Sequence, residues 1–321
     1  MHSPFIHKYQ PLYLKDFEMD PELVSLIQML IEMDALNVLF VGDSGCGKSS
    51  IIQAIIREYY DDAPPEDNIL HINSLKDQGI SYYRTDVKTF CQTASSVSGK
   101  KKMLILDDLD IINEQSQQVF RNCIDKYSHN VHFVASSSNT QKTISSLQSR
   151  MTLVRVKALN QDNLSRIMEK ISRAEAIEIT REAKRFLLSV SNNSVRILIN
   201  YMEKLKLIGR EVTLELAMAV CTNISFQEFI KYVDACRDDM GLVRGVELLY
   251  SLFDRGYSVM DILDTFFLFV KTTSILTEAE KYAIIPIVCK YITIFNDVHE
   301  DEIELALFTN NVRVIFSETT I

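Results

Sequence analysis

No stretch of this 321-residue sequence is apolar over the roughly 20 residues that a bilayer-crossing helix needs; segments 262–270 and 283–288 are too short or broken by polar residues. A membrane partner is therefore not expected. The first residues, through Lys8, lack a basic segment followed by an apolar one, so no secretory signal is expected either, and an intracellular setting follows. The six cysteines (Cys46, Cys91, Cys123, Cys221, Cys236, Cys289) form no CxxC pair, which argues against a zinc ribbon or a disulfide framework and fits reduced thiols. There is no basic excess: 34 Lys and Arg stand against 43 Asp and Glu, for a net charge of -9. Composition thus gives no sign of nucleic-acid binding, although a few phosphate contacts on one face would not show in the whole-chain charge. Repeats and low-complexity segments are missing too. Glycine is scarce, with nine in the chain, which makes its placement informative.

With 47% hydrophobic residues, the chain can bury the cores of two or three domains. The first half alternates short apolar runs (38–41, 68–73, 103–106, 131–135) with helical stretches (49–60, 83–97, 115–127), the order expected of a parallel sheet covered on both faces. After about Val156 the strand signal nearly disappears. Segments 160–174, 180–190, 194–207 and 213–220 carry apolar residues at three-to-four spacing and predict short amphipathic helices. The same spacing continues through 226–237, 240–256, 259–276, 278–296 and from about 302. Three units are expected: an α/β domain over 1–157, a small helical domain over 158–222 and an all-α domain over 223–321.

Three of the nine glycines fall within Gly42-Asp43-Ser44-Gly45-Cys46-Gly47-Lys48-Ser49, a GxxxxGK[ST] pattern between a predicted strand and a predicted helix. Glycines allow successive backbone N–H groups to turn toward phosphate oxygens, and the following helix adds its positive end. Gly42, Gly45, Cys46, Gly47, Lys48, Ser49 and Ser50 are the expected ATP-binding residues. Lys48 would reach the β and γ phosphates, and the Ser49 hydroxyl would face Mg2+. The run 103–108 is a buried strand ending in two acids, where such folds hold the metal-side carboxylate. Asp107 is the candidate for Mg2+ and Asp108 for polarising the attacking water.

The phosphate loop, the run Leu106-Asp107-Asp108-Leu109-Asp110 and the run Leu147-Gln148-Ser149-Arg150 together resemble the replication factor C small subunits, AAA+ sliding-clamp loaders. Lys8-Tyr9-Gln10-Pro11 resembles that family's EKYRP box. Ile72-Asn73-Ser74 with Gln78-Gly79-Ile80 resembles its LNAS and RGI segments, and residues 191–200 resemble its SEGDMRRALN segment. The similarity spans residues 5 to about 205 and continues more weakly through Arg255-Gly256-Tyr257-Ser258. It implies an AAA+ P-loop domain with a parallel sheet, a helical lid and a helical collar. It also implies a hetero-oligomeric ring of five subunits that loads a sliding clamp onto primer-template DNA, at the nucleus, another replication site or a viral replication compartment.

By this resemblance Arg150 is a finger entering the neighbouring subunit's site, and Arg196 a sensor touching the γ-phosphate of its own. Tyr9 and Pro11 would pack around adenine, although a core tyrosine reads almost as well. Arg84 and Lys88 would touch DNA phosphates, or are lone helix-surface charges. Ile111 and Ile112 would insert into the clamp or simply pack; Lys100-Lys101-Lys102 reads as a solvated turn. Departures from the family pattern bear on catalysis. Asp108 replaces a glutamate and is one methylene shorter, Ser138 stands where the family has its sensor asparagine with Asn139 beside it, and Met151 and Asn122 replace a cysteine and an arginine. ATP binding is thus expected more firmly than turnover. A nucleotide-binding structural subunit and a helicase-loader type of AAA+ protein are the alternatives.

Overall fold

The computed structural model describes residues 3–73, 80–221, 223–238, 241–295 and 299–318. Five strands, β1 (Val38–Val41), β2 (Ile69–Asn73), β3 (Lys102–Asp107), β4 (Val131–Ser137) and β5 (Thr152–Arg155), form one sheet in the order β2-β3-β4-β1-β5, every pair parallel. Helices α1 (Phe5–Lys8), α2 (Pro21–Glu32), α3 (Lys48–Tyr59), α4 (Ile80–Gln92), α5 (Glu114–Tyr127) and α6 (Ser145–Gln148) are interleaved with the strands. After the sheet come α7 (Gln161–Glu175), α8 (Arg181–Val190), α9 (Val195–Ile208), α10 (Leu214–Val220), α11 (Phe226–Arg237), α12 (Leu242–Asp254), α13 (Val259–Thr272), α14 (Glu278–Ile294) and α15 (Ile303–Glu318). The α/β class with helical domains following is thus observed.

Alternation along the strands sends successive side chains into two separate cores. Val38, Phe40, Met103, Ile105, Val134 and Val154 join Ile27 of α2 and Ile51, Ile52 and Ile55 of α3 on one face. Leu39, Leu104, Leu106, Phe133 and Ala135 join Val87 of α4 and Phe120 and Ile124 of α5 on the other. A sheet buried on both faces explains why β1, β3 and β4 read as continuous apolar runs.

Besides the short helices α1 and α6, two elements were not expected, β5 and α2. β5 buries only Val154, as befits an edge strand, so its sequence lacks an apolar run. For α2 the start signals were present, Pro21 at the first position and the Asp20 side chain accepting from the Glu22 N–H. The lysine run corrects another expectation. Lys102 begins β3 and is buried, its Nζ bonded to the Phe90 carbonyl at 3.2 Å and the Thr93 hydroxyl at 2.5 Å. Lys100 donates to the Tyr59 carbonyl at 2.6 Å and Lys101 pairs with Asp34 at 2.9 Å, so these lysines tie helix ends to strand starts instead of being solvated.

The chain divides into two compact units, Met1–Ile179 with Asn193–Val212, and Thr180–Asn192 with Thr213–Ile321. α7 and α9 go with the first, α8 and α10 with the second. In the second unit Phe229, Tyr232, Phe266, Phe269, Tyr291 and Phe308 form a linked aromatic core. Helices α8, α10, α11, α13 and α14 of this unit start where a Ser or Thr side chain caps a backbone N–H; Ser258 and Thr277 each complete a reciprocal capping box. Among the described residues no helix is long and apolar enough to cross a membrane.

Candidate nucleotide site

β1 ends at Val41 in the middle of the sheet, and the chain turns through Gly42–Gly47 into α3, bringing the glycine loop to the carboxyl edge of a parallel sheet. The loop is shaped by its glycines. Gly45 and Gly47 have φ of +79° and +101°, in the left-handed region, and a Cβ at Gly42 would lie 2.2 Å from the Val156 carbonyl oxygen. Lys48 is nearly buried, its ammonium folded onto the carbonyls of Gly42 (2.7 Å) and Asp43 (3.0 Å). Ser50 is linked to Gln10 Nε2 at 3.4 Å. Burial of Cys46 against this loop raises its thiol pKa, offset partly by Lys48.

The carboxylates arrive from β3. Asp107 Oδ1 accepts the Ser49 hydroxyl at 3.2 Å, which brings together the two expected cation-side oxygens. It also accepts the Ser136 hydroxyl at 2.5 Å, and the Ser136 oxygen in turn accepts the Asp108 N–H at 3.0 Å. Ser136 is therefore the residue that orients Asp107. The sequence reading missed it because a serine inside a buried strand carries no motif. Asp108 follows with φ 52° and ψ 56°, a left-handed conformation for a non-glycine residue. Burial holds its carboxyl above the ordinary range, Asp107 and Asp110 add repulsion, and Lys48 and Arg196 partly offset it.

Ser138 immediately follows β4, and its hydroxyl and N–H both go to Asp110, at 2.6 and 3.2 Å. Its neighbour Asn139 uses its side-chain oxygen to cap Gln141 N–H at 2.9 Å. Arg196 comes from the first turn of α9, whose start is capped by the Ser194 hydroxyl. A Cβ placed on Gly45 would lie 2.8 Å from Ser194 Oγ and 3.5 Å from Arg196 Cβ, so this helix start abuts the glycine loop. The loop, Asp107, Asp108, Ser138 and Arg196 thus gather at one edge of one unit.

Arg150 is elsewhere. It precedes β5, whose Thr152 pairs with Val38 at the start of β1. The phosphate loop begins after the far end of that strand, about 13 Å along it at ~3.3 Å per residue. Arg150 Nε pairs with Asp125 at 2.5 Å, and its Nη1 donates to the Ser146 carbonyl at 2.7 Å. That guanidinium holds the Asp125 carboxyl below its usual range. Tyr9 is tied to Glu175: both the Tyr9 hydroxyl and the Lys8 ammonium donate to one Glu175 oxygen at 2.5 Å. Burial first and this carboxylate second push the Tyr9 hydroxyl to about 12. Pro11 follows, half-buried.

Arg84 and Lys88 are exposed, one turn apart on α4. Ile111 is exposed at 54%, whereas Ile112 is buried at 7%, so only Ile111 is open to a partner. Ser74, Gln78 and Gly79 lie outside the described residues. Among the described residues no cluster of three or more His, Cys, Asp and Glu forms a metal centre. The oxygens of Ser49 and Asp107 form the small hard-donor set that suits a cation shared with phosphates.

Residues 38–159 match the family model described as ATPase family associated with various cellular activities (AAA). Along most of its length the chain is also similar to replication factor C proteins. It is 28% identical to a small subunit of Methanococcus maripaludis over 88% of this chain and 89% of that one. It is 27% identical to human replication factor C subunit 5 over 83% and 79%. A protein of Acanthamoeba polyphaga mimivirus, named for the same small subunits, is 24% identical over 84% of this chain and 83% of that one. Among solved structures, the Thermotoga maritima RuvB Holliday junction branch migration motor aligns with a TM-score of 0.53 and 14% identity over 83% of this chain and 86% of that one. Domain III of the replication initiation protein DnaA from the same organism aligns at 0.50 and 18%, over 65% and 95%. These structural likenesses concern the fold alone.

Proposed function

We propose that this chain, which belongs with the replication factor C small subunits of the AAA ATPases, is an ATP-binding subunit of a clamp loader in DNA replication. The observation that carries the reading is the assembled edge: a glycine-shaped loop, a lysine parked on carbonyl oxygens, and the Ser49 and Asp107 oxygens 3.2 Å apart. Loop N–H groups and Lys48 would hold the phosphates, and Ser49 and Asp107 would hold Mg2+. That ion, when bound, neutralises charge on the phosphate oxygens. Ser136 keeps Asp107 oriented, Arg196 lies where it would meet the terminal phosphate, and Asp108 is the base-side candidate. Tyr9 and Pro11 would flank the adenine.

In this reading Arg150 serves the neighbouring subunit's nucleotide. Its station at the opposite edge of the sheet supports a role in trans, since its side chain cannot span about 13 Å to its own phosphate loop. Assignment to a hetero-oligomeric ring of five, acting with a sliding clamp and primer-template DNA at a replication site, belongs to the same proposal. So do DNA contacts by Arg84 and Lys88, and the division into nucleotide domain (1–157), lid (158–222) and collar (223–321).

A second reading, of a subunit that binds nucleotide but turns it over slowly, is favoured by one observation. Asp108 is both a methylene short and held in a left-handed turn, so a water aligned by the longer family glutamate would be aligned less well. The decisive measurement is titration of the purified chain with fluorescent ATP. Lys48→Ala should weaken binding roughly 10- to 100-fold, from lost charge-assisted hydrogen bonds worth about 1.5–3 kcal/mol. Unchanged affinity would refute the proposed site.

A further inference from the structure

A serine hydroxyl has one proton to donate, and at Ser138 that proton goes to Asp110. Ser138 stands at the edge that carries the phosphate loop. The preceding residue, Ser137, pairs with Val41, and the Gly42 N–H donates to the Ser137 carbonyl at 3.3 Å. Ser138 is exposed there. Yet its hydroxyl lies 2.6 Å from one Asp110 oxygen and its N–H 3.2 Å from the other, so the carboxylate grips the residue by both donors. A short O–H···O⁻ bond belongs to the strong, charge-assisted class. The other hydroxyls on this stretch are also engaged, Ser136 with Asp107 and Ser137 with the Asn139 carbonyl at 3.0 Å. An asparagine amide carries two N–H groups and could serve a carboxylate and a phosphate oxygen together; a serine cannot.

We propose that Asp110 is a positioning residue that latches the Ser138 hydroxyl away from the terminal phosphate of bound ATP, so that ATP is held without this contact until the latch opens. The inference rests on reading this edge as an ATP site. Burial works against the Asp110 carboxylate, but the bonds from Ser138 keep its pKa below the usual carboxylate value, so the acceptor stays charged at neutral pH. The latch offers a structural reason for slow turnover that is independent of the shorter Asp108.

The test is the preference of the purified full chain for ATP over ADP, measured with fluorescent analogues of both in the presence of Mg2+. Asp110→Ala frees the hydroxyl and should raise that preference about tenfold with Ser138 present, the worth of one charge-assisted hydrogen bond. In the Ser138→Ala background the same substitution should raise it less than twofold. An equal gain in both backgrounds would mean that only the removed charge matters, and no gain in either would mean that no latch exists; both overturn the proposal. Should Asp110→Ala melt at a much lower temperature, Ser138→Asn decides instead. Its second N–H should raise the ATP preference with Asp110 in place, and an unchanged preference overturns the latch. Lys48→Ala separates the two levels: if it leaves both affinities intact, the ATP-site reading has failed whatever the latch variants do.

Discussion

At the carboxyl edge of the sheet, Asp107 accepts two serine hydroxyls, Asp108 sits in a left-handed turn, and Lys48 is parked on backbone carbonyls. At the amino edge, Asp34 accepts from the Tyr59 hydroxyl at 2.8 Å, His132 Nε2 at 2.8 Å and Lys101 at 2.9 Å. Both clusters are made of titratable side chains, and both contain an aspartate with positive φ. Only one is joined to a glycine loop, with Gly45 and Gly47 in the left-handed region. In the amino-edge cluster the groups satisfy one another: Tyr59 OH also accepts the Lys101 N–H at 2.8 Å, and His132 is 1% exposed while Asp34 itself is exposed. A dense polar network is therefore no sign of a site by itself. What sets the carboxyl edge apart is the glycine loop that leads from β1 into α3.

Four variants put this contrast to the test. The largest effect is expected from Arg150→Ala, which sits at the amino edge yet should act on catalysis. In the assembled ring, ATPase activity should fall about a thousandfold, the lower range for a trans arginine, while nucleotide binding by the isolated chain stays as it is. A ring that hydrolyses normally would return Arg150 to a purely local role with Asp125. Asp108→Asn should slow turnover by about 10² or more if that carboxylate aligns water, and leave the melting temperature unchanged or higher, because asparagine tolerates the left-handed region at least as well. If turnover is untouched, hydrolysis occurs at other subunits.

Tyr59→Phe, at the amino-edge cluster, should cost about 1–3 kcal/mol of stability, since it leaves the Lys101 N–H without its acceptor, and should not alter nucleotide affinity. Chemical denaturation alongside nucleotide titration checks both halves. The smallest effect concerns pH. Burial holds the His132 pKa below its ordinary value, with Asp34 opposing, so this histidine folds neutral. Its contribution is fully present above the unfolded value near 6.5 and is lost as pH falls from there through the folded value. His132→Gln should flatten the decline in melting temperature below about pH 6.5; an unaltered slope would assign the decline to other groups.

Much of the site could be read along the chain because its key parts are contiguous. Gly42 to Ser49 is a local device: the glycines, the lysine and the helix start act through backbone geometry over eight residues. The paired acids Asp107 and Asp108 follow from a buried strand that runs out at the sheet edge. Legibility failed where a role depends on a partner distant in sequence. Nothing near Ser136 announces that it orients Asp107, and nothing in Asp110 says that it grips Ser138, 28 residues away. The edge strand β5 was missed because it buries one side chain of four. The lysine run was misread because burial of Lys102 depends on Phe90 and Thr93, in and just after a helix closed onto it in space.

The α/β order, the helical second half and the phosphate loop were all written in the chain itself, since hydrophobic period and glycine placement are local properties. Which residues share an edge is a matter of the folded packing. The register of β1 against β4 and β5 puts Ser138 beside the loop and Arg150 at the other end, and α9 packs its first turn on Gly45 to deliver Arg196. Such juxtapositions are set by packing between distant segments, which no local pattern encodes.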